Sequence, residues 1–129
     1  MTTYNIESFG ADASTGHFAT QISGLVSAGP LPAGTPVSIN PDGRIGKAST
    51  AGAFVGIVLR DVLTAGQGVT VKGLGQVFRA RKGGLTPGKT YYVAADGQFS
   101  DEPTAIDDQG AFFAFDTTDL VIARIGKLA

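Results

Sequence analysis

The chain has 129 residues, of which 43% are hydrophobic and 16% are charged, and its formal net charge is −1. This length suits one compact domain, and the charge balance gives no general attraction to nucleic acid or to an anionic membrane. The sequence contains no cysteine and a single histidine, His17, which excludes disulfides, thiolate metal sites and paired-histidine metal sites. We therefore expect no cofactor and no bound metal.

The beginning of the chain is polar and shows no periodic pattern up to about position 19. Its scattered apolar residues include Tyr4, Ile6 and Phe9. We expect an extended N-terminal arm over residues 1–19 whose apolar side chains pack on another surface, or else a terminus without fixed structure. The arm lacks the features of a signal peptide, and no apolar run reaches the roughly 20 residues that span a bilayer. We expect the protein to be made in the cytoplasm and to stay there at first, with no membrane partner.

A single β domain is predicted for residues 20–129. Glycine occupies 19 positions, and it favours tight turns because it adopts positive φ values at little cost. Strand-forming segments alternate with turn signals such as Ala-Asp-Gly, and no window supports an amphipathic helix. The predicted strands are Gln21–Val26, Val37–Asn40, Arg44–Lys47, Phe54–Leu59, Gly68–Lys72, Gln76–Arg81, Thr90–Ala94, Gln98–Phe99 and Leu120–Ile125. The pattern indicates an all-β fold, a small antiparallel barrel or sandwich built from repeated hairpins.

One hairpin pattern occurs three times. The first copy, Leu31-Pro-Ala-Gly followed by Val37, Ile39, Gly43 and Ile45, matches Leu85-Thr-Pro-Gly followed by Tyr91, Val93, Gly97 and Phe99, 54 positions later. A third copy begins at Leu63, 32 positions after the first. The unequal offsets argue against a solenoid and favour hairpins that reuse one pattern. Chance similarity within a glycine-rich β sequence is the alternative.

Catalytic motifs are not apparent. No serine lies in a nucleophile elbow, and the glycine pairs at 73–75 and 83–84 lack the spacing of phosphate-binding loops, so we interpret them as hairpin turns. We expect a protein that is not an enzyme. A hydrolase with carboxylates between Asp101 and Asp119 is a weaker alternative, because nothing in the sequence fixes the distance between them.

Charges are segregated along the chain. Basic residues cluster from Arg60 to Lys89, whereas acidic residues cluster from Asp96 to Asp119. This arrangement is typical of surfaces that complement each other between neighbouring copies or face a charged partner, and two solvated faces are the alternative.

Three phenylalanines stand close together at Phe112, Phe113 and Phe115. In a strand, Phe113 and Phe115 share one face and Phe112 takes the other. Either one of these faces is an interface, or the strand is buried on both sides. The candidate interface residues are therefore Tyr4, Ile6, Phe9, Phe112, Phe113 and Phe115.

Several motifs carry a family resemblance. They are Ala28-Gly-Pro-Leu-Pro-Ala-Gly-Thr-Pro-Val, Asp42-Gly-Arg-Ile, Phe54-Val-Gly-Ile-Val, Gly66-Gln-Gly-Val-Thr-Val and Gly75-Gln-Val. In this order they resemble the head decoration (capsid cement) proteins of tailed phages. The later segment from Gly84 to Phe99 is similar to a hairpin of phage head and tail fibre proteins. The resemblance covers about residues 20–100.

The resemblance implies a β-barrel or β-tulip-like domain that forms a homotrimer. It implies binding to the major capsid protein on the outer surface of the virion, where many copies stabilise the shell without catalysis. An alternative of another class is a carbohydrate-binding or adhesive domain of a phage fibre. Its candidate residues are the adjacent aromatics Tyr91 and Tyr92.

Overall fold

Two antiparallel sheets make up the protein. The computed structural model describes residues 1–6 and 21–129, and this part of the chain contains strands and no helix. The all-β class predicted from the sequence is therefore confirmed. The strands are β1 (Thr3–Asn5), β2 (Gln21–Val26), β3 (Pro36–Ile39), β4 (Ile45–Lys47), β5 (Ala53–Val58), β6 (Gly68–Lys72), β7 (Val77–Arg79), β8 (Thr90–Val93), β9 (Gln98–Ser100), β10 (Phe112–Ala114) and β11 (Asp119–Ile122).

The two sheets share one topology. The five-stranded sheet has the order β2-β6-β5-β3-β4, and the six-stranded sheet, read from its β7 edge, has the order β7-β11-β10-β8-β9-β1. The first five positions of the two sheets are filled in the same chain order. Residues 21–72 (the first half) and 77–122 (the second half) are thus two copies of one five-stranded unit, and β1 is an addition to the second copy.

Two of the three hairpin copies predicted from the sequence are hairpins in the structure. β3 pairs with β4 in the first half, and β8 pairs with β9 in the second. The matched positions Val37 and Tyr91 are both buried. The third copy is different, because its two strands, β6 and β7, belong to different sheets. The glycine turn at 73–75 therefore carries the chain from one half to the other.

The first half closes directly on itself. Ser27, which follows β2, forms a parallel bridge with Ile45 of β4 at the opposite edge of the sheet. The Ala28 N–H reinforces this contact by donating to the Ile45 carbonyl at 2.9 Å. The sheet is consequently curled until its two edges meet around a small core.

In the second half, β1 occupies the place where the first half closes. The positions 54 residues after Ser27 and Ile45 are Arg81 and Phe99. Phe99 pairs with Tyr4 of β1, and Arg81 Nη1 donates to the Asn5 carbonyl at 3.2 Å. The guanidinium also lies 4.9 Å from the centre of the Tyr4 ring. The edges of the second sheet are therefore joined through the N-terminal strand and one arginine.

β5 lies between two hydrophobic cores. Val55 and Val58 belong to the core of the first half, whereas Phe54 and Ile57 belong to the larger core of the second half. The Phe54 ring meets Phe112 edge-on, with 5.8 Å between ring centroids. Both faces of the strand are buried, which agrees with its near-continuous apolar sequence.

A glycine makes this double use of β5 possible. Gly56 has φ of 142°, and its register with β3 is irregular at Val37 and Ser38. A Cβ at this position would lie 1.9 Å from the Lys72 carbonyl oxygen. Only a residue without a side chain fits here, and the irregularity brings both Phe54 and Ile57 onto the same face.

The long connection between β9 and β10 is held by one buried carboxylate. Asp107 is fully buried, and its two oxygens accept four backbone N–H groups, from Val93, Gln109, Gly110 and Ala111, at 2.7 to 3.0 Å. The carboxylate therefore supplies hydrogen bonds to a segment that has no strand partners of its own.

Candidate interaction surface

The predicted aromatic run divides between the core and the surface. Phe112 is fully buried in the core of the second half, whereas Phe113 is 38% exposed and Phe115 is 64% exposed. The alternation of a strand produces this division, because Phe112 and Ala114 point inward and their neighbours point outward. Of the three phenylalanines, Phe113 and Phe115 are thus available for contact with another molecule.

An apolar row crosses the outer face of the six-stranded sheet. Phe113 lies directly opposite Val121 of β11, which in turn lies opposite Val77 of β7. Val77 is 37% exposed and Val121 is half-buried. On the other side of Phe113, the row ends at the exposed Thr90 of β8. Three neighbouring strands thus present one continuous apolar row to solvent.

Phe115 lies in the next row of the same face, at the turn between β10 and β11. Its backbone N–H donates to the Asp119 carbonyl at 2.9 Å. Asp119 in turn lies opposite Arg79, with 3.7 Å between Arg79 Nε and Asp119 Oδ1. We call the residues Val77, Arg79, Phe113, Phe115 and Val121 the aromatic face.

The turn that presents Phe115 is held by another carboxylate. Asp116 Oδ1 accepts the N–H groups of Thr118 and Asp119, each at 2.8 Å, and the Thr118 hydroxyl at 3.0 Å. These hydrogen bonds favour the charged form, so they lower the pKa of Asp116 below its usual value. The tip of the hairpin is therefore ordered by its own side chains.

The other predicted interface residues lie at the N-terminus. Tyr4 stacks on Phe99, with 5.2 Å between ring centroids, and Tyr4 and Ile6 are partly buried against the core of the second half. The surface on which these two residues pack thus belongs to the chain itself. Phe9 and His17 lie outside the described residues.

The two tyrosines considered for glycan binding differ in exposure. Tyr91 is buried in the core, and its hydroxyl accepts the Thr86 N–H at 3.0 Å. Tyr92 is half-buried on the opposite face of β8. The pair therefore does not form a joint aromatic platform at the surface.

The segregated charges meet across strands. Arg79 faces Asp119, and Lys89 Nζ lies 3.9 Å from Asp101 Oδ2. Arg124 Nη1 donates to the Gly110 carbonyl at 2.9 Å. The basic and acidic segments of the sequence thus partly neutralise each other within one chain.

Among residues 1–6 and 21–129, no three His, Asp or Glu side chains lie close enough together to hold a metal ion.

A second apolar patch lies at the end of the first half. Pro30, Pro32 and Leu63 are exposed there, and with Asp61 and the buried Val62 they line a groove of about 240 Å³. Leu63 is 73% exposed. We call this the proline groove.

Backbone hydrogen bonds fix the walls of the proline groove. Leu31 and Val62 exchange both backbone hydrogen bonds at 2.8 Å, and Asp61 Oδ1 accepts the Ala33 N–H at 2.7 Å. Sequence reasoning did not single out this groove. The sequence carries no signal for it, because Leu63 matches Leu31 and Leu85 in the repeat, and those two are buried whereas Leu63 is exposed.

Comparison with known proteins gave no match, either to protein-family models or to curated sequences. In the described part of the chain, no helix is long and apolar enough to cross a membrane. The aromatic face and the proline groove are therefore interpreted from their own geometry.

Proposed function

We propose that this protein is a structural protein of a tailed-phage virion, which binds the outside of the capsid as a homotrimer and stabilises the shell. The observation that supports this most directly is the aromatic face. Phe113 and Phe115 project from a sheet whose inner side is a packed core, so the face is rigid, apolar and open. Such a surface is typical of a region that another protein covers.

The construction of the domain also supports a structural role. Two similar halves share β5, and the Asp107 and Asp116 carboxylates hold the intervening segments with hydrogen bonds. A protein that joins subunits of a shell needs a rigid body with contact surfaces. The motifs that resemble capsid cement proteins include the hairpin β3–β4, and the segment similar to phage head and tail fibre proteins forms β8–β9, which is the corresponding hairpin of the other half.

Stabilisation of a shell requires no reacting group. Each bound copy adds its binding free energy to the assembled state and none to the dissociated subunits, so a shell covered with many copies resists disassembly by mass action. A trimer binds with three sites at once, which raises its apparent affinity well above that of a single contact. The major capsid protein is the proposed partner.

The test is binding to shells of the phage whose genome encodes the chain, prepared without this protein. We expect the purified protein to sediment with the shells and to raise the temperature at which they disassemble. Replacing Phe113 and Phe115 by serine should weaken this binding, because these side chains belong to the surface that holds the trimer together and a monomer binds through one site only. Leu74→Ser is the matched control, because Leu74 is 49% exposed but lies in the turn between β6 and β7. A wild-type protein that stays in the supernatant at all concentrations would refute the proposed function.

A further inference from the structure

The two halves of the chain differ in one respect that bears on assembly. β5 of the first half and β10 of the second half occupy the same position in their sheets. The outer side of β5 is covered by the second half, where Phe54 and Ile57 join its core. The outer side of β10 carries Phe113 and is covered by nothing within residues 1–6 and 21–129. The surface that one half buries inside the chain is therefore left open on the other half.

We propose that a second copy of this chain covers the aromatic face, with its proline groove seated over Phe113 and Phe115. The contact is head-to-tail: the second half of one copy meets the first half of the next. This inference rests on the homo-oligomer of the proposed function and names the two surfaces that form its contact.

The shapes and chemistry of the two surfaces are complementary. Phe115 is the most exposed aromatic side chain of the aromatic face, and the proline groove is concave. Exposed aromatic rings are favoured partners of proline residues, which present a compact apolar ring and a backbone that is already stiff. Pro30 and Pro32 also lack N–H groups, so the outward edge of their segment is suited to side-chain contact and not to strand pairing.

Charge also favours this pairing. The aromatic face carries Arg79, whose side chain is 55% exposed beside Asp119 of its own chain, and the wall of the proline groove carries the exposed Asp61, which would be a second carboxylate for the guanidinium. Asp61 Oδ1 accepts the Ala33 N–H, so Oδ2 is the oxygen that would contact Arg79 of the next copy. Another groove, of about 370 Å³ beside β1 and the loop at 103–106, has no acidic side chain in its wall that could face Arg79. The proline groove is therefore the better match for the aromatic face.

A contact between two different surfaces has a consequence for symmetry. Each copy offers one aromatic face and one proline groove, so copies join in sequence until the rotation closes a ring. A trimer is such a ring. A face-to-face dimer, in contrast, would place Phe115 against Phe115 of a second copy.

Mixing of two variants tests the head-to-tail contact. We expect wild-type protein to be a trimer in native mass spectrometry, and Phe115→Ser and Leu63→Ser each to weaken association by at least about 30-fold. Mixed together, the two variants should form a one-to-one dimer and nothing larger, because only one intact pair of surfaces remains. Both residues are exposed, so the circular dichroism spectrum of each variant should match that of the wild type, whereas the loss of association should lower the thermal transition.

Cross-linking gives a second test that keeps both Phe115 and Leu63 in place. The chain has no cysteine, so Thr117→Cys and Thr64→Cys, at exposed positions beside these two residues, introduce the only thiols. With a short bis-maleimide reagent, the chain carrying both changes should form covalent trimers, and Thr117→Cys alone should stay uncrosslinked. A covalent dimer of Thr117→Cys alone, a monomeric wild type, or trimers that persist in both serine variants would overturn the inference. A correctly cross-linked trimer that does not bind shells would leave the inference standing and refute the proposed function.

Discussion

Asp107 Oδ2 accepts the Val93 N–H at 2.9 Å and thereby ties the connection between β9 and β10 to β8, 14 positions earlier in the chain. Asp107→Asn replaces one acceptor oxygen by an NH₂ group that faces backbone donors. Because buried donors would lose a charged acceptor, we expect the free energy of unfolding to fall by about 3 kcal/mol. Urea denaturation measures this.

The adjacent Asp108 offers a matched control for that measurement. Asp108 is exposed, so Asp108→Asn should change the free energy of unfolding by less than about 0.5 kcal/mol. Equal effects of the two substitutions would show that the buried hydrogen bonds of Asp107 contribute little.

Gly56→Ala should be among the most damaging small substitutions. The added Cβ would lie 1.9 Å from the Lys72 carbonyl oxygen, and φ of 142° strains any residue with a side chain. We expect a loss of at least about 3 kcal/mol or a chain that does not fold. Gly68→Ala is the control, because a Cβ there meets no atom within 4 Å. Denaturant unfolding of both variants compares them, and a well-folded Gly56→Ala protein of normal stability would contradict the proposed geometry of β5.

Acid should destabilise the hairpin that carries Phe115. The lowered pKa of Asp116 means that its charged form stabilises the fold at pH above about 3.8, the ordinary value for aspartate, and that this contribution is lost as the pH falls through the lowered pKa. We expect Asp116→Asn to be less stable than wild type at pH 7 and to lose less stability between pH 5 and pH 2. Thermal unfolding across this range tests it, and parallel pH curves for the two proteins would contradict it.

Alkali should loosen the N-terminal strand. Burial raises the pKa of Tyr4, and the charge of Asp101 adds to this effect. The neutral hydroxyl is thus favoured in the folded state, so this stabilisation is complete below pH 10 and is lost as the pH rises through the raised pKa. Hydrogen exchange of the β1 amides should accelerate in wild type above that pH.

Tyr4→Phe separates the hydroxyl from the ring. The variant keeps the stacking on Phe99 but has no group to ionise, so the pH at which β1 loosens should move upward. If β1 exchanges with the same pH dependence in both proteins, after correction for the intrinsic exchange rate, ionisation of Tyr4 is not the cause.

Local sequence patterns were sufficient for most strands and for the repeat. The alternation around Val37 and Tyr91 and the Asp-Gly turns that follow specify β3–β4 and β8–β9 without reference to the rest of the chain. The matched spacing even predicts which residues are equivalent. What it does not predict is that the third copy joins two sheets, because pairing of β6 and β7 with different partners depends on contacts distant in sequence.

The features missed by sequence reasoning are likewise nonlocal. β1 has only three residues, and its partner Phe99 lies 95 positions away, so no periodicity marks it. The sequence does not predict which of the three phenylalanines is buried, because alternation assigns side chains to two faces but does not show which face meets the core. Asp107 carried a local signal, an aspartate followed by Asp-Gln-Gly that suits an Asx turn, but its bond to Val93 requires the folded arrangement.

The shared strand β5 couples the two halves thermodynamically. Excising the first half would take Phe54 and Ile57 out of the larger core, and excising the second half would expose these two side chains, although the smaller core of the first half would remain. Two copies of a unit with separate cores could unfold independently, in two steps. Here one strand contributes side chains to both cores, so heating should give one cooperative transition for the whole molecule.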